Sequence, residues 1–103
     1  MKFRVEKLRE NAVSLMRRAG YIFQHEKDGE MSFVRPLARS GFPRFHCYTR
    51  GDGMALVVSI HLDQKKETYG HDTRHHGEYE NEGALKEEMA HIQKTIGEVT
   101  LLA

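Results

Sequence analysis

The chain has 103 residues, of which 39% are hydrophobic and 30% are charged, and its formal net charge is +1. This length predicts one domain over residues 1–103 and is too short for a TIM barrel or a complete dinucleotide-binding fold. The small net charge argues against a protein that coats nucleic acid with its whole surface. The composition is ordinary apart from seven histidines, which is about three times the number that average usage gives a chain this long.

Cys47 is the only cysteine of the chain, which excludes an internal disulfide, a zinc ribbon and a thioredoxin-type site. The segment Met1–Lys7 lacks the apolar core of a signal peptide. No apolar run approaches the roughly 20 residues that a membrane span needs. We therefore expect a cytoplasmic protein that has no membrane partner.

The first predicted element is a helix over residues 3–19, and Gly20 is well placed to end it. Apolar residues fall on one face of this helix at helical spacing: Val5, Leu8, Ala12, Leu15, Met16 and Ala19. A β-hairpin follows, with strands over Tyr21–Glu26 and Met31–Leu37 that are joined by a turn at Asp28-Gly29.

A second hairpin joins strands over Arg44–Thr49 and Met54–Asp63, and we predict its turn at Gly51-Asp52. Side chains alternate between the two faces of a strand. One face is therefore almost wholly apolar and faces the core: Phe45, Cys47, Met54, Leu56, Val58, Ile60 and Leu62. The other face, which we call the outward face, collects Arg44, His46, Tyr48, Ala55, Val57, Ser59, His61 and Asp63.

Two consequences of this second hairpin concern single residues. Cys47 points into the core, so we expect a buried thiol rather than a nucleophile. The predicted turn places His46 opposite Val57, which would put it more than about 10 Å from His61.

Residues 64–80 are polar, and a stretch of this length without secondary structure is typical of functional or disordered loops. A second helix is predicted over residues 83–96, with a buried stripe of Leu85, Met89, Ile92 and Ile96. The tail Val99–Leu102 adds a short strand or covers the core. The predicted fold is α+β: an antiparallel four-stranded sheet made of two hairpins, with an N-terminal and a C-terminal helix packed on one face.

Most of the histidines gather on the outward face and in the loop that leaves it. His61 and Asp63 share that face, and His76 and Glu78 lie in the loop. Imidazole and carboxylate are the groups that Zn²⁺ and similar ions use as ligands. We therefore predict a polar site at His61, Asp63, His76 and Glu78, with zinc or another divalent metal as its possible cofactor. The outer candidates are His46 and His71.

The signal for this site is weak, because no HExxH and no paired-cysteine motif fixes the geometry of the ligands. Ordinary surface and loop histidines that make hydrogen bonds are the alternative interpretation. The sequence does not decide whether the protein is an enzyme, and it supports no named reaction.

A function of a different class is nucleic-acid binding, because a sheet face with arginines and aromatic rings can hold phosphates and stack bases. The residues for it would be Arg35, Arg39, Arg44 and Tyr48, supported by a basic stripe of Arg4, Lys7 and Arg18. The last helix opens with acidic residues, whereas double-stranded-RNA-binding domains place lysines there. Surface arginines without a partner are again the alternative.

A third possibility is a protein-interaction domain. The outward face carries Ala55 and Val57 beside Tyr48, and an exposed sheet face of this kind can form a homodimer.

Three segments together carry a resemblance: Arg44-Phe45-His46-Cys47-Tyr48, then His61-Leu62-Asp63-Gln64-Lys65, then His76-Gly77-Glu78-Tyr79. This pattern resembles a set of short bacterial proteins of unknown function, and the likeness covers about residues 20–96. The resemblance implies no activity. It sharpens only the choice of residues.

Overall fold

The computed structural model describes residues 1–64, 82–97 and 99–102. In chain order these contain β1 (Lys2–Val5), α1 (Ala12–Arg18), β2 (Ile22–Lys27), β3 (Glu30–Pro36), β4 (Arg44–Asp52), β5 (Ala55–Asp63), α2 (Glu82–Ile96) and β6 (Thr100–Leu102). The strands form one sheet in the order β2-β3-β4-β5-β1-β6, and every neighbouring pair is antiparallel. The α+β class agrees with the prediction, but the predicted four-stranded sheet is wrong, because β1 and β6 extend it to six strands.

The N-terminal segment shows why the strand count was wrong. Residues 2–5 form β1, which lies between β5 and β6, with Phe3 and Val5 buried. Helix α1 begins only at Ala12, where the Asn11 side chain caps it by accepting a hydrogen bond from the Ser14 amide at 2.8 Å. A four-residue strand is too short for its alternation to be told from the start of a helical stripe, and Val5 fits both patterns.

The two central hairpins agree with the predicted strands but differ in their turns. The β2–β3 turn is at Asp28-Gly29 as predicted, and both residues have positive φ, 53° and 82°. In the β4–β5 hairpin Asp52 pairs with Ala55, so the turn lies at Gly53-Met54 rather than at Gly51-Asp52. Met54, predicted for the core, is therefore exposed in the turn.

The displaced turn changes the pairing between β4 and β5 but, apart from Met54, leaves the side chains on their predicted faces. The register moves by four residues, which is an even number, and side chains alternate with a period of two. His46 is consequently opposite His61 and not opposite Val57. The expectation that the two histidines lie far apart is wrong for this reason.

Both helices pack on the face of the sheet opposite to the outward face. Leu15 and Met16 of α1 and Leu85 and Ile92 of α2 belong to one buried cluster with the inward-facing strand residues. Among the described residues, no helix is long and apolar enough to cross a membrane. The sheet therefore separates a core covered by helices from an outward face that carries the polar residues.

A charged group is buried inside this core. The Glu88 carboxylate of α2 accepts hydrogen bonds from the Tyr21 hydroxyl at 2.6 Å and from Arg35 Nε at 2.9 Å and Nη2 at 2.5 Å. Cys47 is fully buried, as predicted, and burial raises the pKa of its thiol. The thiol therefore stays protonated at neutral pH, which excludes a thiolate nucleophile at this position.

Candidate metal centre

Strands β4 and β5 bring four polar side chains together on the outward face. His46 pairs with His61 and Arg44 pairs with Asp63 in the register of the two strands. The two imidazole rings lie 5.0 Å apart between centroids. Residues two apart on a strand share a face, so Asp63 stands beside His61. We call His46, His61 and Asp63 the His/Asp cluster.

The Asp63 carboxylate lies between the two imidazoles. Its Oδ2 is 3.3 Å from His46 Nδ1, and its Oδ1 is 3.3 Å from His61 Nε2. One potential ligand atom from each residue lies within 4.8 Å of the other two. The side chains are 11–14% exposed, so the cluster is largely shielded from water but is not sealed.

Strand β3 fixes the orientation of the His46 ring. Ser32 Oγ is 2.8 Å from His46 Nε2 and donates its own proton to Gln24 Oε1 at 3.1 Å. A hydroxyl has one proton, so a Ser32 that donates to Gln24 accepts from Nε2 of His46. In the tautomer that this network assigns, His46 Nδ1 presents a lone pair toward Asp63.

Burial keeps this imidazole neutral. Loss of hydration lowers the pKa of His46, and the nearby Asp63 carboxylate offsets that effect only in part. His61 and Arg44 act in the same direction as burial. A neutral ring with a free Nδ1 lone pair is the form that binds metal ions.

Two further side chains flank the His/Asp cluster. The Tyr48 ring packs against His46 at 4.4 Å and against His61 at 5.7 Å between centroids. Arg44 donates from Nε to Asp63 Oδ2 at 3.3 Å, and its guanidinium lies 4.2 Å from the centroid of the Phe42 ring. Beyond Tyr48 the outward face forms a cleft of about 390 Å³, which Lys2, Ser59 and Arg50 also line.

The predicted metal ligands divide into two groups. The structure brings His61 and Asp63 together and adds His46, which was predicted only as an outer candidate. The predictions for His71, His76 and Glu78 lie outside the described residues.

Sequence reasoning missed Ser32 and Gln24, which support His46 from β3 and β2. The available signal was a serine within the otherwise apolar run Met31-Ser32-Phe33-Val34. The side chain of Ser32 is buried even though it is polar, and a buried polar group needs a partner.

The residues proposed for nucleic-acid binding do not share one surface. Arg35 points into the core, where it pairs with Glu88. Arg44 and Tyr48 flank the His/Asp cluster on the outward face, and Arg39 is exposed in the connection between β3 and β4.

Two arginines of the supporting basic stripe form ion pairs with acidic side chains. Arg4 pairs with Glu6 and Asp52, and Arg18 pairs with Glu10. Each of these two arginines is therefore already engaged with an acidic side chain. Nucleic-acid binding and a dimer through the outward face both stay predictions.

No protein-family model, no curated protein and no solved structure matches this chain. The resemblance to short bacterial proteins therefore stays a prediction. The geometry of the His/Asp cluster is therefore the basis for a proposed function.

Proposed function

We propose that the protein binds a divalent metal ion, with zinc as the first candidate, through His46, His61 and Asp63. The observation that carries this proposal is the convergence of their potential ligand atoms within 4.8 Å of one another. Two histidines and one carboxylate are a donor set that zinc and other first-row metals accept.

The observed distances are close to those of a loaded site. Ligand atoms at about 2.1 Å from a tetrahedral zinc ion are roughly 3.4 Å apart. Asp63 Oδ2 lies 3.3 Å from His46 Nδ1, and Asp63 Oδ1 lies 3.3 Å from His61 Nε2. One atom from each of the three residues lies within 4.8 Å of the others, so side-chain rotations that close the remaining gap would surround an ion.

The hydrogen-bond network also favours a cation. In the tautomer in which His46 Nε2 donates to Ser32, its Nδ1 lone pair faces the negatively charged Asp63 carboxylate at 3.3 Å. Two acceptors at this distance repel each other, and a cation bound between them would remove that repulsion.

Three protein ligands leave a tetrahedral ion with one open position, which is typical of catalytic rather than structural zinc sites. An ion held there would act as a Lewis acid toward an oxygen atom bound at that position. The chain's own residues would hold the ion, orient His46 through Ser32 and shield the centre from water.

Metal titration of protein produced without a histidine tag tests the proposal. We expect one Zn²⁺ per chain by calorimetry and by elemental analysis. The variants Asp63→Asn and His61→Gln should each lose more affinity than the roughly 10–100-fold that is typical of changes in residues around the ligands.

The matched control is His25→Gln, because His25 is exposed on β2 and should not affect the affinity. The His61 variant also tests whether other histidines of the chain account for binding. Metal that stays substoichiometric on titration, or equal affinity in the His61 variant, would contradict the proposed site.

A further inference from the structure

Arg44 is an unusual neighbour for a cation site. It pairs with Asp63 across β4 and β5, and its Nε lies 3.3 Å from Asp63 Oδ2. The Phe42 ring packs beneath its guanidinium at 4.2 Å, and 23% of the Arg44 side chain is exposed. The positive charge is therefore fixed next to the carboxylate that would ligate the ion.

The charges of the described residues do not balance around a bound ion. A divalent ion carries two positive charges, Asp63 removes one and Arg44 restores one, while imidazoles that bind a metal contribute none. A net charge near +2 is costly in a largely desolvated site. Arg44 by itself weakens the binding of a cation, so its position calls for an anion that joins the complex.

A phosphate group matches this deficit. It carries a charge of about −1.5 to −2 at neutral pH and offers three acceptor oxygens. A carboxylate carries a single negative charge and would leave the site positive. The excess charge therefore favours phosphate over a carboxylate ligand.

The donors that a phosphate needs are present. Arg44 spends Nε on Asp63, and within the described part of the chain its two Nη groups donate to no other residue. The planar guanidinium presents its donors in a fork that fits two phosphate oxygens. Asp63 contacts both Arg44 and the two histidines, so the fork lies directly beside the proposed metal ligands.

We propose that the metal-loaded His/Asp cluster binds a phosphate group, with one oxygen at the open metal position and others at the Nη groups of Arg44. This inference rests on the proposed metal site. The phosphate has two possible sources, free inorganic phosphate or a phosphate monoester. The cleft lined by Tyr48, Ser59 and Lys2 lies on the other side of the histidine pair from Arg44, so the organic part of an ester would have to extend across the cluster to reach it.

Cobalt-loaded protein provides the test, because the visible spectrum of Co²⁺ reports a change in its ligands. Inorganic phosphate should alter this spectrum and bind in calorimetry, and metal-free protein should bind phosphate at least tenfold more weakly. The variant Arg44→Gln should keep its cobalt and lose roughly 10–100-fold in phosphate affinity, as expected for a lost charged hydrogen bond.

The matched control is Arg18→Gln. Arg18 is a more exposed arginine on α1 that pairs with Glu10, and this variant should bind phosphate like the unchanged protein. Phenyl phosphate forms the second arm of the titration. Tighter binding of phenyl phosphate than of inorganic phosphate identifies the ester as the source, and the reverse identifies free phosphate.

The outcomes separate the two proposals. If cobalt binds but phosphate leaves the spectrum unchanged, or if Arg44→Gln binds phosphate as tightly as the unchanged protein, the phosphate inference is wrong and the metal site stands. If cobalt and zinc both fail to bind, the proposed function is wrong and the phosphate inference is wrong with it.

Discussion

The two faces of the sheet each hold an arginine paired with a carboxylate, and the two pairs differ in contact length and in exposure. On the inward face, Glu88 accepts three hydrogen bonds of 2.5–2.9 Å from Arg35 and Tyr21. On the outward face, Asp63 has contacts of 3.3 Å with Arg44 and with two imidazoles. The inward carboxylate is 2% exposed and the outward one 11%.

This difference separates a pair whose carboxylate is fully occupied from a pair whose carboxylate could still contact a ligand. Short bonds to both Glu88 oxygens satisfy the buried charge, so the inward pair has no capacity left for a ligand. The contacts of Asp63 are longer, and two imidazoles that could share a metal ion with it lie beside it. The same chemical pair therefore lies in the core on one face and beside the proposed metal site on the other.

The largest expected effect breaks the inward pair. Glu88→Gln should lower the free energy of unfolding by roughly 3–5 kcal/mol, because it leaves Arg35 and Tyr21 without their charged partner in the core. Asp63→Asn should lower it by about 1 kcal/mol, because the Arg44 side chain that loses its charged partner is 23% exposed and can be hydrated. Urea denaturation of the metal-free protein measures both.

A double variant serves as the control for this comparison. Arg35→Met combined with Glu88→Leu should recover most of the loss, because apolar side chains of similar volume remove both buried charges. Equal destabilisation by Glu88→Gln and Asp63→Asn would show that the two pairs are not different in kind.

The outward face was the more predictable part of the molecule. Alternation along β4 and β5 placed His46, His61 and Asp63 on one face without knowledge of the register, because face depends only on whether a position is odd or even. Their distances needed the register, which the turn sets. The segment Arg50-Gly51-Asp52-Gly53 offers two glycines, and Gly53, with φ +65°, is the one that the two-residue turn uses.

The inward pair was not predictable from sequence pattern. Arg35 and Glu88 are 53 positions apart in the chain, and an arginine near the end of a strand is normally solvated. Nor did periodicity identify β1, whose place between β5 and β6 depends on contacts with strands more than 50 residues away. Such pairings join segments that are far apart in the chain, so local sequence patterns do not specify them.

The next effect in size concerns the support of His46. Ser32→Ala should lower metal affinity by roughly 10–100-fold, because His46 Nε2 loses the acceptor that fixes its tautomer and ring orientation. Calorimetric zinc titration measures the loss. Ser59→Ala is the matched control, since Ser59 lies on the same face opposite Tyr48 and should leave the affinity unchanged. Equal affinities in the two variants would exclude Ser32 from the site.

A smaller effect follows from the lowered pKa of His46. Below pH 6.5, which is the ordinary pKa of a histidine, His46 binds a proton in the unfolded chain while it is still neutral in the native state. The free energy of unfolding should therefore fall as the pH decreases through about 6.5, and this part of the fall ends below the folded-state pKa.

Comparison with His46→Gln isolates this contribution from those of the other histidines. Unfolding of the metal-free protein in urea, measured between about pH 5.5 and about pH 7.5, should show a shallower pH dependence in the variant. Equal slopes in the two proteins would mean that burial does not keep His46 neutral.

The smallest effect tests whether the inward face is fully satisfied. Thr49 lies on β4 between Met31 and Val58 and is 1% exposed, and its Oγ1 has no hydrogen-bond partner within the part of the chain that the structure describes. Thr49→Val removes the buried hydroxyl at nearly constant shape, so it should raise the free energy of unfolding by about 1 kcal/mol.

Thr95→Val is the informative contrast, because the Thr95 hydroxyl donates to the His91 carbonyl at 3.1 Å. That change removes a hydrogen bond, so it should be neutral or destabilising. If Thr49→Val also destabilises the protein, its hydroxyl has a native partner. If Thr49→Val stabilises the protein, the Thr49 hydroxyl is unsatisfied in the native state. The inward face then tolerates an unsatisfied hydroxyl, whose desolvation costs little, but not an unsatisfied carboxylate, whose desolvation costs much more.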